Sequence, residues 1–266
     1  MAASDLLLHD KTLVVIGGTA GLGLSAAVAF VKAGAHVVVV GRNPDSVLTA
    51  TGTLGTQACG LAGDASDPAT AIAAIEQAVA TFGSLDGLYH VAGGSGRRFG
   101  DGPLHEMTDE GWATTLNLNL SSVMLSNRAA VRQFLAQGSG GSILNMGSVL
   151  GTRPSPRYFA THAYATAKCA IVGFSQSIAA YYASHNIRVN VLAPALVDTP
   201  MAQRAAADGA ILRFTRTKQP LDGGRIGQPE DLDAAAVYFM GDGSRFATGQ
   251  VLSVDGGWSV SEGQYE

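Results

Sequence analysis

Residues 13–23 read Leu-Val-Val-Ile-Gly-Gly-Thr-Ala-Gly-Leu-Gly and carry the clearest indication of the fold. Their first four residues, Leu13 to Ile16, are all apolar, and three of them are β-branched. This pattern predicts a strand buried on both faces, as in a parallel sheet. The glycines that follow permit a tight turn, and the alanine-rich residues 23–33 predict a helix. A turn that joins a parallel strand to a helix presents free N–H groups and the positive end of the helix dipole. The segment therefore predicts a turn suited to an anionic group.

Short apolar runs and alanine-rich segments alternate along the rest of the chain. Apolar runs that predict strands lie at 13–16, 37–40, 85–91, 143–146, 189–192 and 251–254. Segments that predict helices lie at 23–33, 68–82, 108–137, 162–185 and 231–240. Strands that alternate with helices form a parallel sheet with right-handed crossovers. We therefore expect an α/β fold: a doubly wound (Rossmann) parallel sheet of about seven strands with helices on both faces.

The composition favours one large folded domain. Of 266 residues, 47% are hydrophobic and only 14% are charged, which fits a large buried interior. The chain has 34 glycines, roughly twice the usual frequency of about 7%, but no glycine-rich tract has the length of a linker. We therefore predict a single Rossmann-type domain over residues 1–266, with its glycines at tight turns and strand ends.

Charge and hydropathy exclude several classes of partner. A net charge of −4 gives little reason to bind nucleic acid. The N-terminal residues lack the features of a signal peptide, and no segment approaches 18 uninterrupted apolar residues. Cys59 and Cys169 are far apart and lack metal-ligand spacing, which suits a reducing compartment. We therefore expect a cytoplasmic protein that has no metal site and binds neither nucleic acid nor membranes.

The end of the second predicted strand bears on which dinucleotide the glycine turn would bind. A turn of this kind can hold a pyrophosphate, although it can also be a tight turn without a ligand. An NAD site usually places a carboxylate after the second strand, against the ribose 2′-hydroxyl. This chain has Gly41 and Arg42 there, which leave room for a 2′-phosphate and offer it charged donors. The pair favours NADP(H) over NAD(H); the alternative is a solvated surface arginine.

Tyr164 and Lys168 stand four residues apart near the start of the predicted helix 162–185. That spacing places both side chains on one helix face. A nearby cation favours tyrosinate and lowers the pKa of the phenol toward the operating pH, where it can act as a general acid or base. The same spacing is common by chance on helix surfaces, so its meaning depends on the glycine turn upstream.

With both motifs present, the chain resembles the short-chain dehydrogenase/reductase family nearly from end to end. The motifs that carry the resemblance are the glycine turn (Gly17, Gly21, Gly23), Asp64, Asn119, Ser148, the pair Tyr164 and Lys168, the segment 188–194, Thr199, and the segments 227–231 and 254–257. Several motifs in the family's order make the resemblance specific.

The resemblance implies an oxidoreductase that transfers hydride between NADP(H) and a carbonyl/secondary alcohol pair. It places catalysis at Asn119, Ser148, Tyr164 and Lys168. It places cofactor binding at Gly17, Thr19, Gly21, Leu22, Gly23, Arg42, Asp64, Ala65, Ala92, Gly93, Tyr164, Lys168, Pro194, Val197 and Thr199. Ser148 would hydrogen-bond the substrate oxygen, Tyr164 would exchange a proton with it, and Lys168 would hold the nicotinamide ribose. Asn119 would anchor a water that leads to Lys168, and Thr199 would bond the carboxamide.

The same resemblance implies a mobile substrate lid at about residues 195–225 and a homotetramer that packs through the helices 108–137 and 162–185. The segments 94–101 and 151–162 would form walls of the substrate pocket. Both contain arginines, among them Arg97 and Arg157, which are either solvated charges or groups that recognise a carboxylate or phosphate on the substrate.

Three departures from the family pattern bear on the site. His90 replaces the first asparagine of the usual Asn-Asn-Ala-Gly, Ala195 replaces the glycine after Pro194, and 16 residues separate Ser148 from Tyr164. The alternatives are a non-catalytic dinucleotide sensor of the same fold and an NAD-dependent alcohol dehydrogenase. An S-adenosylmethionine methyltransferase also has a glycine turn, but it usually needs an acidic residue where this chain has Gly41 and Arg42.

Overall fold

A parallel sheet of seven strands, in the order β3-β2-β1-β4-β5-β6-β7, forms the centre of the protein. The computed structural model describes residues 7–265. The strands are β1 (Thr12–Ile16), β2 (His36–Gly41), β3 (Ala58–Ala62), β4 (Gly87–His90), β5 (Gly141–Met146), β6 (Ile187–Pro194) and β7 (Val251–Val254). All six strand pairs are parallel. The predicted α/β fold class, strand number and sheet type are confirmed.

Helices cover both faces of this sheet. They are α1 (Gly21–Lys32), α2 (Pro44–Leu54), α3 (Pro68–Phe82), α4 (Asp109–Leu116), α5 (Ser122–Gln137), α6 (His162–Tyr182), α7 (Gln203–Ala206), α8 (Gly209–Lys218) and α9 (Asp233–Met240). Strand β1 shows the two layers directly. Leu13 and Val15 pack on the face covered by α1 and α9, whereas Val14 and Ile16 pack on the face covered by α3 and α5. Every residue of β1 is therefore buried, as its unbroken apolar run predicts.

The order of the strands creates a cleft between the carboxyl ends of β1 and β4. After β1, the chain adds β2 and then β3 on one side of it. The chain then crosses back and adds β4 on the other side of β1. Ile16, the last residue of β1, pairs with Val40 on one side and with His90 on the other. Ligands of open α/β sheets bind in the crevice at such a reversal of strand order. The turns after β1 and β4 therefore frame the first place to look for a site.

Several elements differ from the sequence-based expectation, among them the helices α2, α7 and α8, which lie outside the predicted helices. The strand β3 reads Ala-Cys-Gly-Leu-Ala and lies at the sheet edge, where it is mostly half-buried and needs no long apolar run. The predicted helix 108–137 is divided into α4 and α5 by a π-helical turn at Asn117–Ser121. An inserted turn of this kind leaves no clear mark in the hydrophobic pattern. No helix between residues 7 and 265 has the length and apolarity needed to cross a bilayer.

Candidate active site

The glycine turn after β1 is closely packed between β2 and the segment after β4. The N–H groups of Gly17 and Gly18 donate to the Val40 carbonyl oxygen at 2.9 and 3.0 Å. Gly17 has a φ of +86°, and a Cβ atom there would lie 2.6 Å from the backbone nitrogen of Ala92. A Cβ atom on Gly23 would collide with the carbonyl oxygen of Gly17. Side chains at these two positions would therefore block the turn.

The N terminus of α1 is open to an anion. Its N-cap residue, Ala20, has no side chain that can accept from the first amides, and the first turn contains no acidic residue. These N–H groups lack intrahelical partners and carry the positive end of the helix dipole. Thr199 borders this turn, because a Cβ atom on Gly21 would lie 3.3 Å from its Cγ2 atom. The turn and helix thus fit the pyrophosphate of a dinucleotide.

The residues expected at the adenosine end lie beside the glycine turn. A Cβ atom on Gly41 would lie 2.6 Å from Cγ2 of Thr19, so the end of β2 and the turn touch. Arg42 follows as an exposed side chain. Hydrogen bonds from Ser66, at 2.8 Å from its N–H group and 2.6 Å from its hydroxyl, lower the pKa of Asp64, and the charge of Arg42 adds to this effect. A charged carboxylate and a guanidinium therefore flank this end of the cleft.

Asn119 joins the segment after β4 to the π-helical turn. Its Nδ2 atom donates to the carbonyl oxygens of Gly94 and Thr115, both at 2.9 Å, and its Oδ1 atom accepts from the Gly94 N–H group at 3.1 Å. A Cβ atom on Gly93 would lie 2.6 Å from Oδ1 of Asn119 and 3.7 Å from Nζ of Lys168. The structure thus brings Asn119, Gly93 and Lys168 together, although they lie far apart in sequence.

Tyr164 and Lys168 share one face of α6, as their spacing predicts. The Lys168 Nζ atom lies 5.6 Å from the centroid of the Tyr164 ring and donates to the Met146 carbonyl oxygen at 2.8 Å. Burial lowers the pKa of Lys168 to about 8. Desolvation raises the pKa of the Tyr164 phenol, and a hydrogen bond with the Ser148 side chain opposes that rise. The net shift of the phenol's pKa is therefore upward, opposite to the lowering that we expected from the sequence.

Ser148 follows β5 in an extended conformation, with a φ of −167°. Its hydroxyl oxygen accepts from the Leu150 N–H group at 3.2 Å, which fixes the side chain at the strand end. Tyr164 is its partner on α6. The structure therefore brings together the predicted catalytic set, with Ser148, Tyr164 and Lys168 in one group and Asn119 beside Lys168.

The remaining predicted contacts line the same edge of the sheet. Ala92 donates its N–H group to the Ile16 carbonyl oxygen at 2.9 Å. Pro194 ends β6, and Val197, which is 6% exposed, forms an isolated parallel bridge with Gly227. Leu22 packs against the core on one face, and Ala65 packs against the core on the other. These positions follow β1, β3, β4 and β6, so they meet at the carboxyl edge.

His90, which departs from the family pattern, is a buried neutral side chain. Its Nδ1 atom lies 2.7 Å from the Ser126 hydroxyl, and its Nε2 atom lies 3.2 Å from the Ala92 carbonyl oxygen. Burial, with a smaller contribution from the charge of Lys168, lowers its pKa to about 3. A neutral ring that donates from Nε2 and accepts at Nδ1 satisfies both contacts. His90 thus connects β4 to α5 through its contact with Ser126.

Two arginines, one of them from a predicted pocket wall, meet at one backbone carbonyl. Arg97 and Arg204 both donate to the carbonyl oxygen of Tyr158, at 3.3 and 3.1 Å. Arg97 lies in the segment after β4, Tyr158 in the segment before α6, and Arg204 in α7 within the predicted lid. The structure thus joins the predicted pocket walls, and it places two positive charges where they meet.

The C-terminal segment packs on α8, within the predicted lid region. Tyr265 stacks on Phe214 of α8, with ring centroids 4.7 Å apart and an interplanar angle of 8°. Trp258, which is 1% exposed, meets the same Phe214 ring edge to face at 5.8 Å. The segment therefore anchors α8 to the body of the protein in this conformation.

Sequence reasoning did not single out Asp101. Its carboxylate is 4% exposed and accepts from the N–H groups of Ala163 and Tyr164 at 3.0 and 2.9 Å. An acidic residue in a glycine-rich loop does not by itself indicate a contact with a helix about 60 positions later. Only the folded chain reveals this link to α6.

A doubly wound sheet with a glycine turn at its switch point defines a class of dinucleotide-binding enzymes. The family model described as enoyl-(acyl carrier protein) reductase matches residues 17–259. A 3-oxoacyl-(acyl-carrier-protein) reductase from Chlamydia trachomatis is 35% identical over 94% of this chain and 98% of its own. A 2-dehydro-3-deoxy-D-gluconate 5-dehydrogenase from Dickeya dadantii is 33% identical over 97% of this chain and 99% of its own.

Solved structures agree with these matches. A short-chain type dehydrogenase/reductase from Mycobacterium ulcerans superposes with a TM-score of 0.88 at 31% identity, covering 97% of this chain and 93% of that one. The chain belongs to the short-chain dehydrogenase/reductase family. It is an oxidoreductase of the kind that acts on CH–OH and C=O groups, and its family implies a nicotinamide dinucleotide cofactor.

Proposed function

We propose that this protein transfers hydride between NADP(H) and a carbonyl/secondary alcohol pair, with Tyr164 as the general acid and base. The observation that carries this proposal is the grouping of Ser148, Tyr164 and Lys168 at the carboxyl edge of the sheet, next to the glycine turn. When bound, the nicotinamide ring supplies or accepts the hydride at its C4 atom.

Each catalytic side chain has a distinct task in this proposal. The Ser148 hydroxyl donates a hydrogen bond to the substrate oxygen and orients it. The Tyr164 phenol gives its proton to that oxygen during reduction and takes it back during oxidation. Lys168, with a pKa of about 8, populates both protonation states near neutral pH, so it can restore the proton of the phenol. Asn119 keeps the backbone beside Lys168 in place.

The proposed cofactor-binding residues form three sets, one for each part of the dinucleotide. Gly17, Gly21, Leu22, Gly23 and Thr19 would surround the pyrophosphate at the N terminus of α1. Asp64 and Ala65 would contact the adenine, and Arg42 would bind a 2′-phosphate. Ala92, Gly93, Pro194, Val197 and Thr199 would hold the nicotinamide half, together with Tyr164 and Lys168. The open N terminus of α1 supports this arrangement, and Arg42 in place of a carboxylate supports NADP(H).

The relatives point to a small-molecule substrate with a carbonyl or secondary alcohol. The names of the Chlamydia and Dickeya proteins describe a 3-oxoacyl group and a sugar acid. The first name describes reduction at a 3-oxo group and the second oxidation at C5 of a sugar acid, so the two reactions have in common a carbonyl/secondary alcohol pair. The pocket segments that would separate such substrates are those in which Arg97 and Arg204 meet at Tyr158.

We also propose that the chain is a single domain over residues 1–266 that works as a homotetramer in the cytoplasm, with residues 195–225 as a lid. The exposed apolar side chains Leu135 on α5 and Tyr181 on α6 support packing between subunits through these helices. The free thiols of Cys59 and Cys169 suit a reducing compartment.

The test is a panel of carbonyl compounds assayed with NADPH and with NADH, in the wild type and in Tyr164→Phe. We expect oxidation of NADPH with at least one compound, and a loss of about 10²- to 10⁴-fold in kcat for the variant. Tyr238→Phe, at an exposed tyrosine on α9, is the control and should retain full activity. Full activity of Tyr164→Phe would overturn the mechanism.

A further inference from the structure

The helix that carries Tyr164 and Lys168 is capped from a distant part of the chain. The residue before α6, Thr161, makes no side-chain hydrogen bond to the first amides of the helix. Instead, both oxygens of the Asp101 carboxylate are used: Oδ1 accepts from Ala163 at 3.0 Å, and Oδ2 accepts from Tyr164 at 2.9 Å. A carboxylate at a helix N terminus satisfies free donors and neutralises the positive end of the dipole.

The glycine-rich loop after β4 is shaped to place this carboxylate. Gly96 and Gly100 have φ values of +73° and +99°, a region of backbone conformation that favours glycine. A Cβ atom on Gly96 would lie 2.8 Å from Cγ2 of Thr115. The N–H group of Asp101 returns to the Gly96 carbonyl oxygen at 3.3 Å. The loop therefore folds back against α4 and holds Asp101 in the interior.

We propose that Asp101 is a positioning residue for the Tyr164 phenol, an inference that rests on the proposed function of Tyr164. One of the two amides that Asp101 holds is that of Tyr164 itself, so a shift in the first turn of α6 would move the phenol directly. Ser148, the partner of the phenol, belongs to the segment after β5 and would not follow that movement. A displacement of about 1 Å can cost about 10²-fold in rate.

We expect the charge of Asp101 to act on the ionisation of Tyr164 as well. Lys168 on the same helix and the Ser148 hydroxyl after β5 lie near the phenol, whereas the Asp101 carboxylate contacts the backbone N–H group of Tyr164 and has Arg97 as a neighbouring charge. A negative charge at the helix end opposes the formation of tyrosinate. Removal of that charge would end this repulsion and would also leave the positive end of the helix dipole unneutralised. Each of these two effects favours tyrosinate. Neutralisation of Asp101 should therefore lower the pKa of Tyr164.

The experiment compares Asp101→Asn with the wild type by two independent readouts. The first is the titration of the Tyr164 ring, followed by NMR of protein labelled with ¹³Cζ-tyrosine and assigned with Tyr164→Phe. The second is kcat and KM for a carbonyl substrate from the panel, together with the Kd for NADPH. We expect the pKa of Tyr164 to fall by about half a unit to one unit. We also expect kcat to fall about 10- to 100-fold, with the Kd for NADPH within about twofold of the wild type.

The matched control is Asp86→Asn. Asp86 also accepts from a backbone amide, that of Thr12 at 2.9 Å, but it lies at the amino ends of β1 and β4, away from the site. This variant should keep the wild-type kcat and the wild-type titration of Tyr164. If Asp101→Asn does not fold, Asp101→Ser, which keeps one acceptor for the helix end, replaces it.

Two outcomes would overturn the role of Asp101. One is a folded variant with unchanged kcat and an unchanged titration of Tyr164. The other is loss of fold in both variants, which would make Asp101 a purely structural residue. A wild type that reduces no carbonyl compound would instead overturn the proposed function, and the NMR titration would still report on the contact between Asp101 and Tyr164.

Discussion

The Nζ atom of Lys168 donates a 2.8 Å hydrogen bond to the carbonyl oxygen of Met146 and so connects α6 to the last residue of β5. This bond holds a lysine that is only 3% exposed at the carboxyl edge of the sheet. Burial costs the charged form more than the neutral form, which is why the pKa of Lys168 falls to about 8. The hydrogen bond thus fixes the location of the side chain, and burial at that location lowers its pKa.

The lowered pKa of Lys168 predicts an ionisation near pH 8 in the activity of the free enzyme. The pH profile of kcat/KM reports ionisations of free enzyme and free substrate, so it should bend near pH 8 in the wild type. Lys168→Arg should remove that bend, because arginine stays charged over the whole range. The measurement is kcat/KM between pH 6 and 10 with a substrate that does not titrate there. Lys11→Arg, on the opposite edge of the sheet, should retain the bend, and a bend that survives in Lys168→Arg would contradict the assignment.

His90 predicts a loss of stability in mild acid. Its pKa is about 3 in the folded protein and about 6.5 in the unfolded chain, so the unfolded state binds more protons between these values. The contribution of a neutral His90 is therefore complete above pH 6.5 and declines as the pH falls toward 3. Each pH unit in that window should cost at most about 1.4 kcal/mol.

Urea unfolding at pH 7.5, 6.0 and 5.0 would measure this effect in the wild type and in His90→Asn. The variant lacks the titrating ring, so the stability of the wild type relative to it should decrease as the pH falls. The same substitution at the exposed His185 is the control. Parallel losses of stability in wild type and His90→Asn would refute the prediction.

Arg42 should determine the preference between the two cofactors. If its guanidinium binds a 2′-phosphate, Arg42→Ala removes a charge-assisted contact of about 1.5–3 kcal/mol. The Kd for NADPH should rise roughly 10- to 100-fold, whereas the Kd for NADH should change little. Fluorescence titration with each cofactor measures both constants. Arg245→Ala, another exposed arginine, should affect neither, and equal losses for the two cofactors would rule out the role of Arg42.

The lid region should become less accessible to protease when ligands bind. Potential trypsin sites in this region are Arg204 in α7 and Arg213 and Arg216 in α8. Cofactor and substrate would hold Thr199, which borders Gly21, and would order the residues that follow. Limited trypsin digestion with and without saturating NADPH and substrate should show slower cleavage at these three sites. Unchanged rates with both ligands present would count against a mobile lid.

The first turn and the buried strands could be predicted because the pattern that specifies them is local. The run from Leu13 to Ile16 and the glycines after it lie within a few residues of one another, and so does the spacing of Tyr164 and Lys168. The edge strand β3 escaped prediction because it is mostly half-buried and contains no valine or isoleucine. The π-helical turn at Asn117–Ser121 also escaped, because the hydrophobic pattern continues across it.

The sequence by itself determined the α/β class of the fold, the position of the glycine turn and the set of residues that resembles an oxidoreductase site. Only the tertiary structure decided that Asp101 caps the helix of Tyr164, that His90 is neutral, and that desolvation raises the pKa of the Tyr164 phenol. The reason is physical: the features that the sequence determined depend on residues that are neighbours along the chain. The features that the tertiary structure decided depend on burial and on contacts between residues that are distant in sequence, and these exist only after the chain has folded.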